Sequence, residues 1–250
     1  MFRWKWLGLV ICSFLVMHTV AQSAEKEFGF INRVFKGPDG EAKFVVFLPH
    51  DYDPKGSKEY PVILFLHGMG ESGADGINQT KVGIGQAIKK KAKTFHFIVI
   101  FPQSQKRNWK ADSADGKRAL AILDEVLKTY KTDPKRIYLT GLSMGGFGTW
   151  SMANAFPERW AAIAPVCGGV YPKEKIESIA AKIKDIPCWC FHGDADKAVP
   201  VKFSQGMIAA LKTAGAAPRY DEYAGVGHNS WDRAYGTAEL YDWFLQHKSK

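Results

Sequence analysis

Cysteine is scarce in this chain, four in 250 residues. With no Cys-x-x-Cys spacing and no paired histidines, this argues against a disulfide-stapled scaffold and a structural zinc site. No apolar run reaches the roughly 20 residues that a membrane-spanning helix needs, and there is no internal repeat or low-complexity tract. Core-forming residues are not lacking. The chain is 46% hydrophobic and 24% charged, a balance that excludes intrinsic disorder. Acids are in deficit, 25 against 34 Lys and Arg, for a formal charge of +9. A basic excess attracts nucleic acid only where it clusters. The dense run, Lys89-Lys90-Lys91 with Lys93, has no interleaved aromatics and reads as the solvated face of a surface helix. No nucleic-acid partner is expected.

What is present begins with an export pattern. Arg3 and Lys5 precede an apolar run from Leu7 to Met17, and small and polar residues follow from Thr19 to Ala24. Residues 1–24 are expected to be a signal peptide, with cleavage after Ala21 or Ala24. Bulky Ile11 before Cys12 argues against a lipid-modified cysteine. Removing the segment lowers the charge by two, from +9 to +7. The mature chain, residues 25–250, is expected to be one domain, secreted or periplasmic, with no membrane anchor after cleavage. Its remaining cysteines are Cys167, Cys188 and Cys190. The last two flank Trp189 in an apolar run and, on a strand, face the same side. They read as buried small hydrophobes, with a bridge from Cys167 to one of them as the alternative.

The 24 glycines and 12 prolines are scattered and punctuate many short elements. Phe28–Phe35 and Phe44–Leu48 flank Gly37-Pro38-Asp39-Gly40 and predict an antiparallel hairpin. Short apolar runs at Val62–Leu66, Phe97–Phe101, Ile137–Thr140, Trp160–Val166 and Cys188–Phe191 follow, separated by amphipathic stretches. Continuous apolar strands belong in a sheet covered on both faces, with helices as crossovers of a mostly parallel sheet. The fold class is therefore α/β. Helices are predicted over Lys117–Tyr130, from Met144, over Lys202–Thr213 and over Ala234–Gln246, with a last strand at Arg219–Tyr223. Residues 167–186, with room for one short helix, are too few for a large apolar lid.

Gly141-Leu142-Ser143-Met144-Gly145 lies between a strand and a helix. This is the setting in which a serine is held on a strained turn, with small neighbours where backbones crowd. A serine hydroxyl needs a base, and the base an orienting acid. Asp194 and Asp196 follow the strand Cys188–Phe191, and His228 follows the strand near Tyr223. All would meet Ser143 at the carboxyl edge of the sheet, where sites in such sheets form. His67 and His192, each ending a strand beside a glycine, read as loop braces. Trp109, among polar neighbours, is expected to face a ligand. Trp231 reads equally as a substrate contact or as packing against the histidine loop. Phe147 and Trp150 are expected in the core.

Four motifs occur in order: His67-Gly-Met-Gly-Glu-Ser-Gly73, Gly141-Leu-Ser-Met-Gly-Gly146, His192-Gly-Asp-Ala-Asp196 and Gly225-Val-Gly-His-Asn-Ser-Trp231. Through them residues 28–247 resemble the α/β-hydrolase superfamily, in the secreted serine esterase and peptidase branch related to feruloyl esterases and polyhydroxybutyrate depolymerases. The resemblance implies an α/β-hydrolase fold with Ser143 as nucleophile, His228 as base and Asp196 as acid. It also implies backbone oxyanion donors at Met69 and Met144, whose side chains are left to shape an apolar acyl pocket; helix packing is an equal alternative for Met144. No metal or organic cofactor is implied. The expected activity is ester hydrolysis through an acyl-enzyme, with feruloyl or acetyl esters on plant polysaccharide as substrates. A serine peptidase is the alternative, and a non-catalytic binding domain a more distant one.

Overall fold

The structure, a computed structural model, describes residues 27–250; the expected signal peptide and Cys12 lie outside the described residues. The chain opens with the predicted hairpin. β1 (Gly29–Gly37) and β2 (Gly40–Leu48) pair antiparallel, with Gly37 opposite Gly40 and Pro38-Asp39 as the turn. Six further strands complete one sheet: β3 (Tyr60–Leu66), β4 (Ile98–Pro102), β5 (Thr132–Leu142), β6 (Ala162–Val166), β7 (Trp189–Gly193) and β8 (Arg219–Tyr223). Their order across the sheet is β1-β2-β4-β3-β5-β6-β7-β8. β2 meets β4 antiparallel, and every pairing among β3–β8 is parallel.

Among the described residues seven α-helices connect and cover the strands: α1 (Ile84–Lys91), α2 (Ala114–Thr129), α3 (Met144–Ala155), α4 (Ile176–Ile183), α5 (Lys202–Thr213), α6 (Trp231–Gly236) and α7 (Ala238–Leu245). The apolar runs behave as a two-faced sheet requires. Every residue of β3 is buried, because alternate side chains enter separate cores. Val62, Leu64 and Leu66 join α2–α5 on one face. Ile63 and Phe65 join α1, α6 and α7 on the other. Lys89, Lys90 and Lys91 are exposed on α1. Cys167, Cys188 and Cys190 are all free and buried.

Among the boundaries that differ from the sequence reading, two have a clear structural reason. β5 starts earlier than Ile137, since Tyr60 already pairs with Thr132 before a register shift brings Val62 opposite Ile137. The last helix is two, α6 and α7. Gly236 ends the first, and Thr237, in an extended conformation, enters the second.

The loop beyond β4 is organised by one buried carboxylate. Asp115, on the first turn of α2, is 1% exposed. It accepts hydrogen bonds from the Ser104 hydroxyl and from the Gln105 and Lys106 N–H groups at 3.1 and 2.8 Å, and it pairs with Arg118. The Ser104 N–H in turn donates to His67 Nε2 at 2.9 Å. His67 therefore carries its proton on Nδ1 and donates it to the Gly68 carbonyl at 2.6 Å. Burial is the main influence on this ring and pushes its pKa from 6.5 down to about 4.

Replacing Asp115 by alanine strands Arg118 and several loop donors. Urea denaturation is expected to show a loss of about 3–5 kcal/mol. The buried His67 carries a second expectation, with its sign fixed by linkage. The unfolded chain takes up a proton below pH 6.5, whereas the native ring stays neutral until about pH 4. Stability therefore falls as pH drops through that window. Between pH 7 and 4.5 the wild type should lose about 2 kcal/mol more than His67→Gln in parallel urea titrations.

Candidate active site

Ser143 stands at the junction of β5 and α3 with φ 53° and ψ −117°, a left-handed conformation costly to any residue bearing a Cβ. The junction is sharp because its neighbours leave no room. A Cβ on Gly145 would lie 1.9 Å from the Leu66 carbonyl oxygen, and one on Gly141 would lie 2.4 Å from that of Gly145. The Ser143 N–H is held by the Val166 carbonyl at 3.0 Å, and the Ser143 carbonyl accepts the Phe147 N–H at 3.1 Å. The turn thus belongs to two strands and a helix at once.

The loops after β7 and β8 bring two side chains to this serine. His228 Nε2 lies 2.9 Å from Ser143 Oγ, and His228 Nδ1 lies 2.7 Å from Asp196 Oδ2. With the ring proton on Nδ1 facing the carboxylate, Nε2 is free to accept the serine hydroxyl. The other carboxylate oxygen accepts the N–H groups of Ala198 and Val199 at 2.8 and 2.9 Å. Burial works to raise the pKa of Asp196, but the bonds from His228, Val199 and Ala198 outweigh it and hold the carboxyl below its ordinary range. Asp194 does not join this group. It is exposed, and its Oδ1 accepts the Gly225 N–H at 2.7 Å, fastening the turn that leads to His228.

His192 braces the loop of Asp196. Its Nε2–H points to the Val199 carbonyl at 2.9 Å and lies 3.2 Å from Asp196 Oδ2, while Nδ1 accepts the Ser204 hydroxyl at 2.7 Å. Burial lowers its pKa and keeps the ring neutral. Trp231, half-buried, packs edge-on against His228, ring centres 5.3 Å apart.

Met69 and Met144 each begin a helical turn. Met69 opens a short 3-10 turn ending at Glu71, and Met144 is the first residue of α3. A first-turn N–H has no partner within its own helix, which leaves such groups free to face a ligand. The two turns abut, since a Cβ built on Gly68 would lie 3.7 Å from Ser143 Cβ. The side chains diverge: Met69 is 55% exposed, whereas Met144 is buried in the core facing α2–α5.

Trp109 is a correction. It is fully buried, donates its indole N–H to the His67 carbonyl at 2.9 Å and lies edge-on to the His67 ring at 5.0 Å. Its polar neighbours serve the Asp115 network, while the indole tucks beneath the His67 turn and offers no surface to a ligand. Phe147 is corrected in the opposite sense. It is half-buried, one helical turn beyond Ser143, and its ring meets Tyr171 at 5.6 Å and the partly exposed Phe203 at 6.3 Å. Helical spacing from the serine could have found Phe147. Tyr171 precedes α4 in irregular chain, and Phe203 is the second residue of α5, so neither carries a local signal.

The chain matches the model of the Esterase family, described as "Putative esterase", over residues 36–244. It is 32% identical over 124 residues to a poly(3-hydroxyalkanoate) depolymerase C of Paucimonas lemoignei, covering 44% of this chain and 28% of that protein. It is 26% identical over 199 residues to the bifunctional acetylxylan esterase/xylanase XynS20E of Neocallimastix patriciarum, covering 78% of this chain and 27% of that protein. The chain thus spans little more than a quarter of the length of either relative. Among solved structures, a thermostable esterase superposes with a TM-score of 0.78 at 32% identity, covering 88% of this chain and 63% of that one. With an α/β-hydrolase sheet, a serine on its strand-to-helix turn and a family match spanning most of its length, the chain belongs to this esterase family.

Proposed function

We propose that this protein is an exported serine hydrolase of carboxylic esters whose single catalytic domain, residues 25–250, works through an acyl-enzyme. The observation that carries the reading is the unbroken relay from Ser143 Oγ through His228 to Asp196, two contacts of 2.9 and 2.7 Å. It lies at the strand ends where sites in parallel sheets form. Ser143 Oγ attacks the ester carbonyl as His228 Nε2 takes its proton. Asp196 stays ionised, keeps the proton on Nδ1 and stabilises the imidazolium. The N–H groups of Met144 and Met69 receive the developing oxyanion. Collapse of the tetrahedral species expels the alcohol, which takes the proton back from His228, and water repeats the sequence to release the acid.

The substrates we assign are acetyl or feruloyl esters on plant polysaccharide. Two features support this: the relative named as an acetylxylan esterase/xylanase, and the flank of Phe147, Tyr171 and Phe203 beside the serine turn, which suits a planar or apolar acyl group. Export is supported by the basic, apolar and small-residue order of residues 1–24.

A fluorophosphonate probe should label the wild type and not Ser143→Ala; an unlabelled wild type refutes the reading. Asp196→Asn should lower kcat about 10,000-fold, whereas Asp194→Asn should cost less than about tenfold, the scale of one exposed hydrogen bond. Full activity in Asp196→Asn would sink the assignment of the acid. For the substrate, incubation with arabinoxylan should release acetate or ferulate. Turnover confined to short p-nitrophenyl esters would overturn the polysaccharide assignment, and cleavage of peptides without ester turnover would replace esterase by peptidase.

A further inference from the structure

Cys167 follows the last residue of β6 and is completely buried. It adopts φ 39°, another left-handed conformation at a residue with a Cβ, and its N–H is fixed to the Phe191 carbonyl at 2.8 Å. This turn places its sulfur, a carboxylate oxygen of Asp196 and a ring nitrogen of His228 all within 4.8 Å of one another. Thiolate, carboxylate and imidazole together are a donor set that suits zinc and heavier thiophilic divalent ions. Zinc bonds of about 2.0–2.3 Å put the ligands of a tetrahedral ion about 3–4 Å apart. The three atoms therefore need shifts of only about 1 Å. A second group stands at the same place: Ser230 is fully buried, with its hydroxyl within hydrogen-bonding reach of the Cys167 sulfur. A hydroxyl there can donate to a metal-bound thiolate, as outer-shell groups do.

We propose that Cys167, Asp196 and His228 form an inhibitory site for a thiophilic divalent cation such as Zn2+, which silences the enzyme by occupying His228 Nδ1. The proposal rests on the triad reading given above. In the resting enzyme Nδ1 bears the ring proton and Nε2 offers its lone pair to Ser143. With the cation on Nδ1, the ring proton resides on Nε2, which can then donate to the serine but not deprotonate it. The balance closes without any change of oxidation state. The Cys167 thiol releases its proton to solvent as the sulfur–metal bond forms, and His228 keeps one proton, relocated. Asp196 exchanges its bond from Nδ1–H for a metal–oxygen bond. Two anionic ligands neutralise the dication, and a water molecule can complete the tetrahedron. Access is through His228, whose side chain is 28% exposed. Without metal, burial pushes the thiol up to about 12, so Cys167 stays protonated and does not compete with Ser143 as a nucleophile.

Ester hydrolysis is titrated with Zn2+ in the wild type, Cys167→Ser and Cys167→Ala, each referred to its own metal-free rate. Reversible inhibition, relieved by a chelator, is expected in the wild type, with an inhibition constant at least about 10-fold higher in Cys167→Ala. An unchanged constant overturns the proposal. Separately, Cd2+ is added to Ser143→Ala, in which no catalysis intervenes. A thiolate-to-cadmium charge-transfer band saturating at one equivalent, and lost in Ser143→Ala/Cys167→Ala, is expected; its absence in Ser143→Ala overturns the site. Because this band is read without the serine, it decides the cation site even where the acyl-enzyme reading fails.

Discussion

Ser143 is held at φ 53° and ψ −117°, a conformation that costs on the order of 1–3 kcal/mol, and its surroundings must supply that energy. Parallel pairing of β5 with β6 brings the Val166 carbonyl under the Ser143 N–H. Contact of α3 with β3 presses Gly145 onto the Leu66 carbonyl so closely that any side chain there is excluded. The strain is thereby spread over the central strands, which are also the most completely buried part of the molecule. In return the hydroxyl projects beyond the sheet edge, where loops from β7 and β8 can reach it.

The second dependency is electrostatic. A carboxylate removed from water is tolerated only when its lone pairs are used. Asp196 meets this condition with two backbone N–H groups on one oxygen and His228 on the other, with His192 close by. Its backbone donors come from Ala198 and Val199, only two and three residues further on, so the Asp196 loop carries its own anion cradle independently of His228. Asp194 cannot enter that cradle. It points outward to the Gly225 N–H and secures the neighbouring loop instead. Two aspartates separated by one residue thus divide the work, one ordering the imidazole ring and the other anchoring the turn that delivers it.

The sequence displayed whatever depends on local pattern. Apolar runs covered on both faces located β3–β7, the Gly37–Gly40 turn located the hairpin, and the glycines around Ser143 located the strained turn, because each reflects a constraint acting on consecutive residues. Trp109 lacks such a signal, because polar neighbours do not imply that the ring itself is exposed. Those neighbours serve Asp115, while the indole fills the space beneath the His67 turn. Tyr171 and Phe203 carried no local signal, since a pair drawn from irregular chain and from a helix start meets Phe147 only once the sheet has closed. The contact between Cys167 and the His228 loop is hidden for the same reason: its partners lie on three separate strand ends.

Three histidines stand at strand ends on one edge of the sheet, and their surroundings give them different chemistry. His67 is enclosed by Trp109, Gly68 and Ser104, and with a pKa near 4 it cannot exchange a proton at neutral pH. His192 has both nitrogens committed to Ser204 and Val199, which leaves no lone pair for a substrate. His228 alone combines a partly exposed ring, a carboxylate behind one nitrogen and a serine before the other. Enclosure suits a ring to bracing and an open face suits it to the base role proposed for His228, even though the flanking glycines look alike in sequence. The partly exposed face that suits His228 to the base role proposed for it is also the route by which the proposed cation would enter. With Cys167 buried behind the relay, the proposed catalysis and its proposed inhibition would both run through one imidazole ring.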